Sequence, residues 1–181
     1  ELIAEVIELF DTPPFFHLGM DEETAEHQRN LRYAVIRQYD LWWHDLNLLI
    51  EAAQEGGSRP WVWSDYMWHH PDEFFANMPA SVLQSNWYYN DDFDPEDRMV
   101  KAYTQLEERR YYQVPTGSNY AGQKQNLQKT VEHCTEIISP DRLFGFMQST
   151  WRPTQEEFRD IHMDAIEQVA NAREWYENNR G

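Results

Sequence analysis

The sequence predicts an α/β fold built on parallel strands, and three observations predict it. Short apolar runs alternate with helical patterns five times along the chain, which calls for a parallel sheet with helical crossovers. Polar and aromatic residues collect at the carboxy-terminal end of each run: His17 to Glu22, Trp63 to Asp65, Asn86 to Tyr88, Thr116, and Gln148 to Trp151. No GxGxxG or GxxxxGK[ST] turn occurs, which counts against an open nucleotide-binding sheet and favours a (β/α)8 TIM barrel, whose active sites lie on that carboxy-terminal face. A complete barrel takes about 250 residues and eight units. Five units in 181 residues therefore predict one domain over 1–181, the carboxy-terminal portion of a barrel with about three units upstream.

In order, ELIAEVIELF reads as an amphipathic helix and PFFHLGM as the first strand. Residues 33–53 carry Ile36, Leu41, Leu46, Leu49, Ile50 and Ala53 at helical spacing, and Gly56-Gly57 stops that helix. RPWVWSDYMW is the second strand run, followed by a short helix around HPDEFFANM, and SVLQSNWYY is the third. DPEDRMVKAYTQLEERR then predicts a helix with Asp94 as its N-cap and Pro95 at the first helical position. RYYQVPTG is the fourth run; the helix after it places Leu127, Val131, Cys134 and Ile138 on one face. RLFGFMQSTW is the fifth, and Thr154 with Glu157 forms a capping-box pattern before a last helix with Phe158, Ile161, Ala165, Val169 and Ala172 inward.

Composition narrows the partners. A formal charge of −17 opposes phosphate polyanions and anionic lipid, so neither nucleic acid nor a membrane surface is an expected partner. No apolar run is long enough to span a bilayer. The lone Cys134 allows no internal disulfide. Aromatic residues make up 15% of the chain, many beside Asn, Asp and Gln, a mixture suited to stacking on flat ligands such as sugar rings as well as to packing a core.

The chemistry concentrates in FFHLGMDEE, residues 15–23. Alternation along a strand puts His17 and Asp21 on one side and Met20 and Glu22 on the other, so both acids reach one pocket only if the backbone turns at the strand end. The competing reading makes Asp21 a cap and Glu22 and Glu23 first-turn acids complementing a helix dipole. His17, Glu22, Glu23, Glu26 and His27 are residue types that bind metals, but they lack HExxH order and solvated helix residues account for them; neither a metal nor a cofactor is expected.

The stretch His17-Leu18-Gly19-Met20-Asp21-Glu22 resembles the H-x-G-x-D-E signature of glycoside hydrolase family 20, the β-N-acetylhexosaminidases, which carry it at the end of the fourth barrel strand. More loosely, WVWSDYMW, SNW and FMQSTW are similar to the family's fifth-, sixth- and eighth-strand segments, and five strands from the signature onward match the fourth to the eighth. The resemblance implies an exo-acting hydrolase of terminal N-acetylhexosamine on a glycan, retaining and substrate-assisted. Glu22 would be the general acid/base and Asp21 the carboxylate that orients the 2-acetamido group. His17, Trp63, Asp65, Trp87, Tyr112 and Trp151 would contact substrate, with Asp65 on a hydroxyl, Tyr112 or its neighbour Tyr111 near the acetamido oxygen, and Glu23 left to a helix start. Family members commonly have an acid soon after the eighth-strand Trp, whereas Trp151 is followed by Arg152, Pro153 and Thr154. That departure leaves a non-catalytic carbohydrate-binding barrel as an alternative, and a glycosidase using Glu22 and Asp65 as acid and nucleophile as another.

Overall fold

A computed structural model describes residues 1–23, 28–32, 37, 40–120 and 122–180. Among them the fold is mixed α/β, with parallel strands and without a closed barrel, and the chain forms two compact units, Glu1–Gln84 and Ser85–Gly181.

In the first unit α1 (Leu2–Leu9) buries Ile7, and β1 (Phe15–His17) pairs in parallel with β2 (Arg59–Trp63), His17 opposite Trp61. Between them lies α2 (Asp40–Glu55); residues 33–36 of the expected helix, Ile36 included, lie outside the described residues. Its inner face carries Trp42, Trp43, Leu46, Ile50 and Ala53, while Leu41 is exposed, a correction to the expected face. The reason is a set of partners absent from the local pattern: Trp42 stacks on Tyr66 at 4.2 Å, and Trp43 donates its indole N–H to Glu73 at 2.7 Å. The helix ends at Gly56 and Gly57 as expected, Gly57 taking φ +85°. After a 3-10 turn (Asp65–Trp68) comes α3 (Pro71–Asn77), and then β3 (Leu83–Ser85) completes a sheet of order β1-β2-β3, its last residue opening the second unit.

Alternation in β2 divides its side chains between two sides of the strand. Pro60 and Val62 are buried, and Trp61 and Trp63 stand half-buried on the opposite side with His17. Trp63 is also the last residue at which the β1–β2 pairing continues, through its N–H to the Gly19 carbonyl at 3.1 Å.

The second unit runs α4 (Arg98–Glu108), β4 (Thr116–Ser118), α5 (Asn126–Ile137), β5 (Met147–Ser149), a 3-10 turn (Glu156–Phe158) and α6 (Arg159–Arg180), with β4 and β5 paired in parallel. The N-cap of α4 is Asp97, whose carboxylate accepts the Met99 N–H; Asp94 instead accepts the Glu96 N–H in a local Asx turn before the helix, and the cap expected of it passes to Asp97. The Thr154 capping box does not form either: the chain spends residues 156–158 on the 3-10 turn, whose first cap, Gln155, makes no side-chain cap bond. On α6 the inward positions are Ala165, Gln168 and Ala172, with Val169 exposed. Gln168 goes inward because its amide has partners there, the Gln123 carbonyl at 2.8 Å and Asp164 at 3.0 Å.

β4 is buried throughout, and α5 lies against it with Leu127, Val131, Cys134 and Ile138 buried as the spacing predicts. Asn126, fully buried, accepts the Ser118 N–H at 2.8 Å and donates to the carbonyls of Tyr88 and Asn90. Gly117 makes this approach possible: a Cβ there would stand 2.9 Å from the Asn126 Oδ1 and 3.0 Å from the Leu127 Cα. Backbone cannot yield as a side-chain tip can. Gly117→Ala is therefore expected to destabilise the fold by about 1–3 kcal/mol, read as a lower urea midpoint at unchanged slope. An unchanged midpoint would mean that α5 moves back freely.

Candidate active site

The acid pair stands on a distorted turn just past β1. Gly19 and Met20 each take φ +76° and Glu22 φ +51°, so two non-glycine residues in four adopt the left-handed region. Each such residue costs about 1–2 kcal/mol unless its surroundings hold it there. Two contacts do so. The Gly19 N–H donates to the His17 Nδ1 at 3.0 Å, and the Glu22 N–H donates to the Asp65 Oδ2 at 3.0 Å. This turn breaks strand alternation, as both acids required. The Asp21 carboxylate lies close over the turn, its Oδ1 3.9 Å from the point where a Gly19 Cβ would stand.

His17 is wedged between indoles, its ring centroid 4.7 Å from that of Trp61 and 4.6 Å from that of Trp63. Burial pushes its pKa down to about 4, so the imidazole is neutral at physiological pH. Since Nδ1 accepts a hydrogen bond, the single proton sits on Nε2, which is buried and without a hydrogen-bond partner among the described residues.

Asp65 opens the 3-10 turn after β2 and is 9% exposed. Burial lifts its carboxyl to about 6, with the Glu22 N–H acting the other way and the Asp21 charge adding to the rise. Its Oδ1 is buried with no hydrogen-bond partner among the described residues. Glu23 pairs with the Arg37 guanidinium, which also reaches Asp45 of α2 at 2.8 Å; residues 24–27, on which the expected helix start falls, lie outside the described residues. Glu26 and His27 of the metal-type grouping lie outside the described residues; no group of three metal-ligating side chains occurs among the described ones.

In the second unit Trp87 and Trp151 follow the ends of β3 and β5 and meet through a third ring. Trp87 stacks on Tyr89 with centroids 4.9 Å apart and planes at 26°, and the Tyr89 hydroxyl accepts the Trp151 indole N–H at 2.9 Å. Trp151 is 46% exposed with φ +49°. The next residue, Arg152, holds its guanidinium 4.9 Å over the Tyr120 ring. Tyr112 is elsewhere: it precedes β4, on the amino-terminal side of that strand, with its ring edge-on to Phe144 at 5.1 Å. The strand begins only at Thr116, past Pro115, so the residues beyond its carboxy-terminal end are Asn119 and Tyr120 rather than the tyrosine pair.

No protein-family model matches the chain, and no curated protein matches it.

The structure thus groups His17, Trp63, Asp21, Glu22 and Asp65 within the first unit, and Trp87 with Trp151 within the second. Two contributors were missed in the sequence, Trp61 and Tyr89. Each lies two residues from a tryptophan that was singled out, and strand-like alternation is the signal that would have found both. Among the described residues no helix is long and apolar enough to cross a membrane.

Proposed function

We propose that this protein is a β-N-acetylhexosaminidase-like glycoside hydrolase and that its five strand–helix units are the fourth to eighth of a (β/α)8 barrel. The supporting observation is the Asp21-Glu22 pair on a held turn past a parallel strand, flanked by a neutral histidine and two indoles. Glu22 donates a proton to the glycosidic oxygen as the bond to C1 breaks, and the substrate's acetamido oxygen closes on C1. Asp21 orients that acetamido group and balances the positive charge it gains. Water then opens the ring so formed, giving a proton back to Glu22. Trp63, in the first unit with the acid pair, offers an apolar wall for the acetamido methyl. The partner this chemistry takes is an N-acetylhexosamine-containing glycan, and the barrel reading needs the upstream strands as well.

The reading with Asp65 as nucleophile has less support. A nucleophilic carboxylate must reach C1 with a free oxygen, whereas Asp65 is buried, its ionisation is disfavoured by that burial, and one oxygen is on the Glu22 N–H.

Paired nitrophenyl glycosides separate the mechanisms. Substrate assistance predicts release from the N-acetyl-β-glucosaminide and none above background from the β-glucoside, which has no acetamido oxygen to attack C1. Comparable turnover of both would refute it. Binding of N-acetylglucosamine in calorimetry without turnover of either would favour the carbohydrate-binding alternative, to which the Arg152 position lends its support.

A further inference from the structure

We propose that Asp65 is a positioning residue: by accepting the Glu22 N–H it locks residues 19–22 in their left-handed turn and so fixes where the Glu22 carboxyl stands. The resemblance assigned Asp65 to a sugar hydroxyl, and the geometry points to a different task. Its Oδ2 takes a peptide N–H from a residue 43 positions away, at 3.0 Å. The bond lands on a non-glycine residue at φ +51°, within a turn that already holds Met20 at φ +76°. Such a conformation persists only where surrounding contacts over-determine it. A carboxylate acceptor makes a hydrogen bond roughly twice as strong as a neutral one, which suits a clamp working against strain. Burial raises the Asp65 pKa to about 6, so the side chain carries an energetic burden that serves no packing purpose, a pattern that clusters at functional sites.

The position of Asp65 also explains how a strand-end acid pair is set. His17 fixes the start of the turn through the Gly19 N–H, and Asp65 fixes its end through the Glu22 N–H. Asp21 lies between the two anchors. Loss of the second anchor removes a bond that holds Glu22 at positive φ, and relaxation toward negative φ would swing its side chain. Displacements of about 1 Å in a reacting group cost on the order of 10²-fold in rate.

The catalytic half of this inference rests on the hydrolase reading; the structural half does not, and the experiment keeps them apart. Asp65→Leu preserves side-chain shape and removes the acceptor, while Asp65→Asn keeps an uncharged acceptor. On an N-acetyl-β-glucosaminide, Asp65→Leu is expected to lower kcat about 10²-fold with KM within about threefold, and Asp65→Asn to lose about tenfold or less. Hydrogen exchange at the Glu22 amide is expected to be at least about tenfold faster in Asp65→Leu than in Asp65→Asn. A rise in KM at unchanged kcat would restore the hydroxyl contact and overturn the inference, as would equal Glu22 exchange in the two variants. If the wild type turns over no N-acetylhexosaminide, the hydrolase reading falls alone and the exchange measurement still decides the clamp. Should Asp65→Leu not fold, Asp65→Ser, too short to reach the N–H, takes its place.

Discussion

Glu22→Gln is expected to lower kcat on an N-acetylglucosamine disaccharide by about 10²–10⁴-fold, the range for loss of a general acid. The size should depend on the leaving group. A sugar alkoxide is a poor leaving group and needs its proton as the bond breaks, whereas a nitrophenolate departs without one. With the nitrophenyl substrate the first step is therefore nearly spared and only the water-activating step suffers, so the loss shrinks. Asp21→Asn should behave differently. It removes the charge that steadies the acetamido group in both steps, so its loss, about 10²–10³-fold by analogy with removing one oriented electrostatic partner, should be similar for the two leaving groups. Rates on both substrates for both variants give four numbers. A leaving-group dependence in Asp21→Asn with none in Glu22→Gln would exchange the two roles; no loss in either would end the proposal. Gln and Asn keep the shapes of the acids, and the Glu22 N–H that binds Asp65 belongs to the backbone, so the turn survives both changes.

The order of elements was legible because it depends on local signals. Five apolar runs each led into a helix, Gly56-Gly57 ended α2, and helical spacing gave the buried face of α5. Errors arose where a distant partner outweighed the local pattern. Trp42 and Trp43 took the inner face of α2 from Leu41 because Tyr66 and Glu73 were there to receive them. Gln168 displaced Val169 for the same reason. At the site, the alternation of β2 placed Trp63 beside His17, as the register His17 opposite Trp61 requires. The role of Asp65 could not be read this way. It depends on the chain leaving β2 for a 3-10 turn and on a main-chain bond across 43 residues, and neither has a local signature. The strand phase at Tyr112 was not legible: β4 begins at Thr116 rather than near residue 110, which places the tyrosine pair before the strand.

Asp65 and His17 should give the protein two opposed pH dependences that nearly hide one another. The Asp65 pKa rises from its ordinary 3.8 to about 6 on folding, so between those values the folded protein holds more protons and stability falls as pH rises. Above pH 6 the full cost, about 3 kcal/mol, is present. For His17 the pKa falls from 6.5 to about 4, so across that window the unfolded chain holds more protons and stability is lost as pH falls. Acidifying from pH 7.5 to 5 should thus relieve about 1.5 kcal/mol at Asp65 while costing about 2 kcal/mol at His17. The variants separate them. At pH 7.5 Asp65→Asn escapes the cost of the buried charge, offset in part by the buried N–H groups its amide introduces, and its stability relative to wild type should drop by about 1–1.5 kcal/mol at pH 5. His17→Gln should move oppositely, gaining about 2 kcal/mol on wild type over the same change. Urea titrations of the three proteins at both pH values test this, and taking differences from wild type cancels the background of the other acidic residues titrating elsewhere. A difference that does not change with pH would show that the carboxyl or the imidazole is not held as described. The expected gain for Asp65→Asn at pH 7.5 also bears on the clamp, because a charge whose removal stabilises the fold is retained for something other than stability.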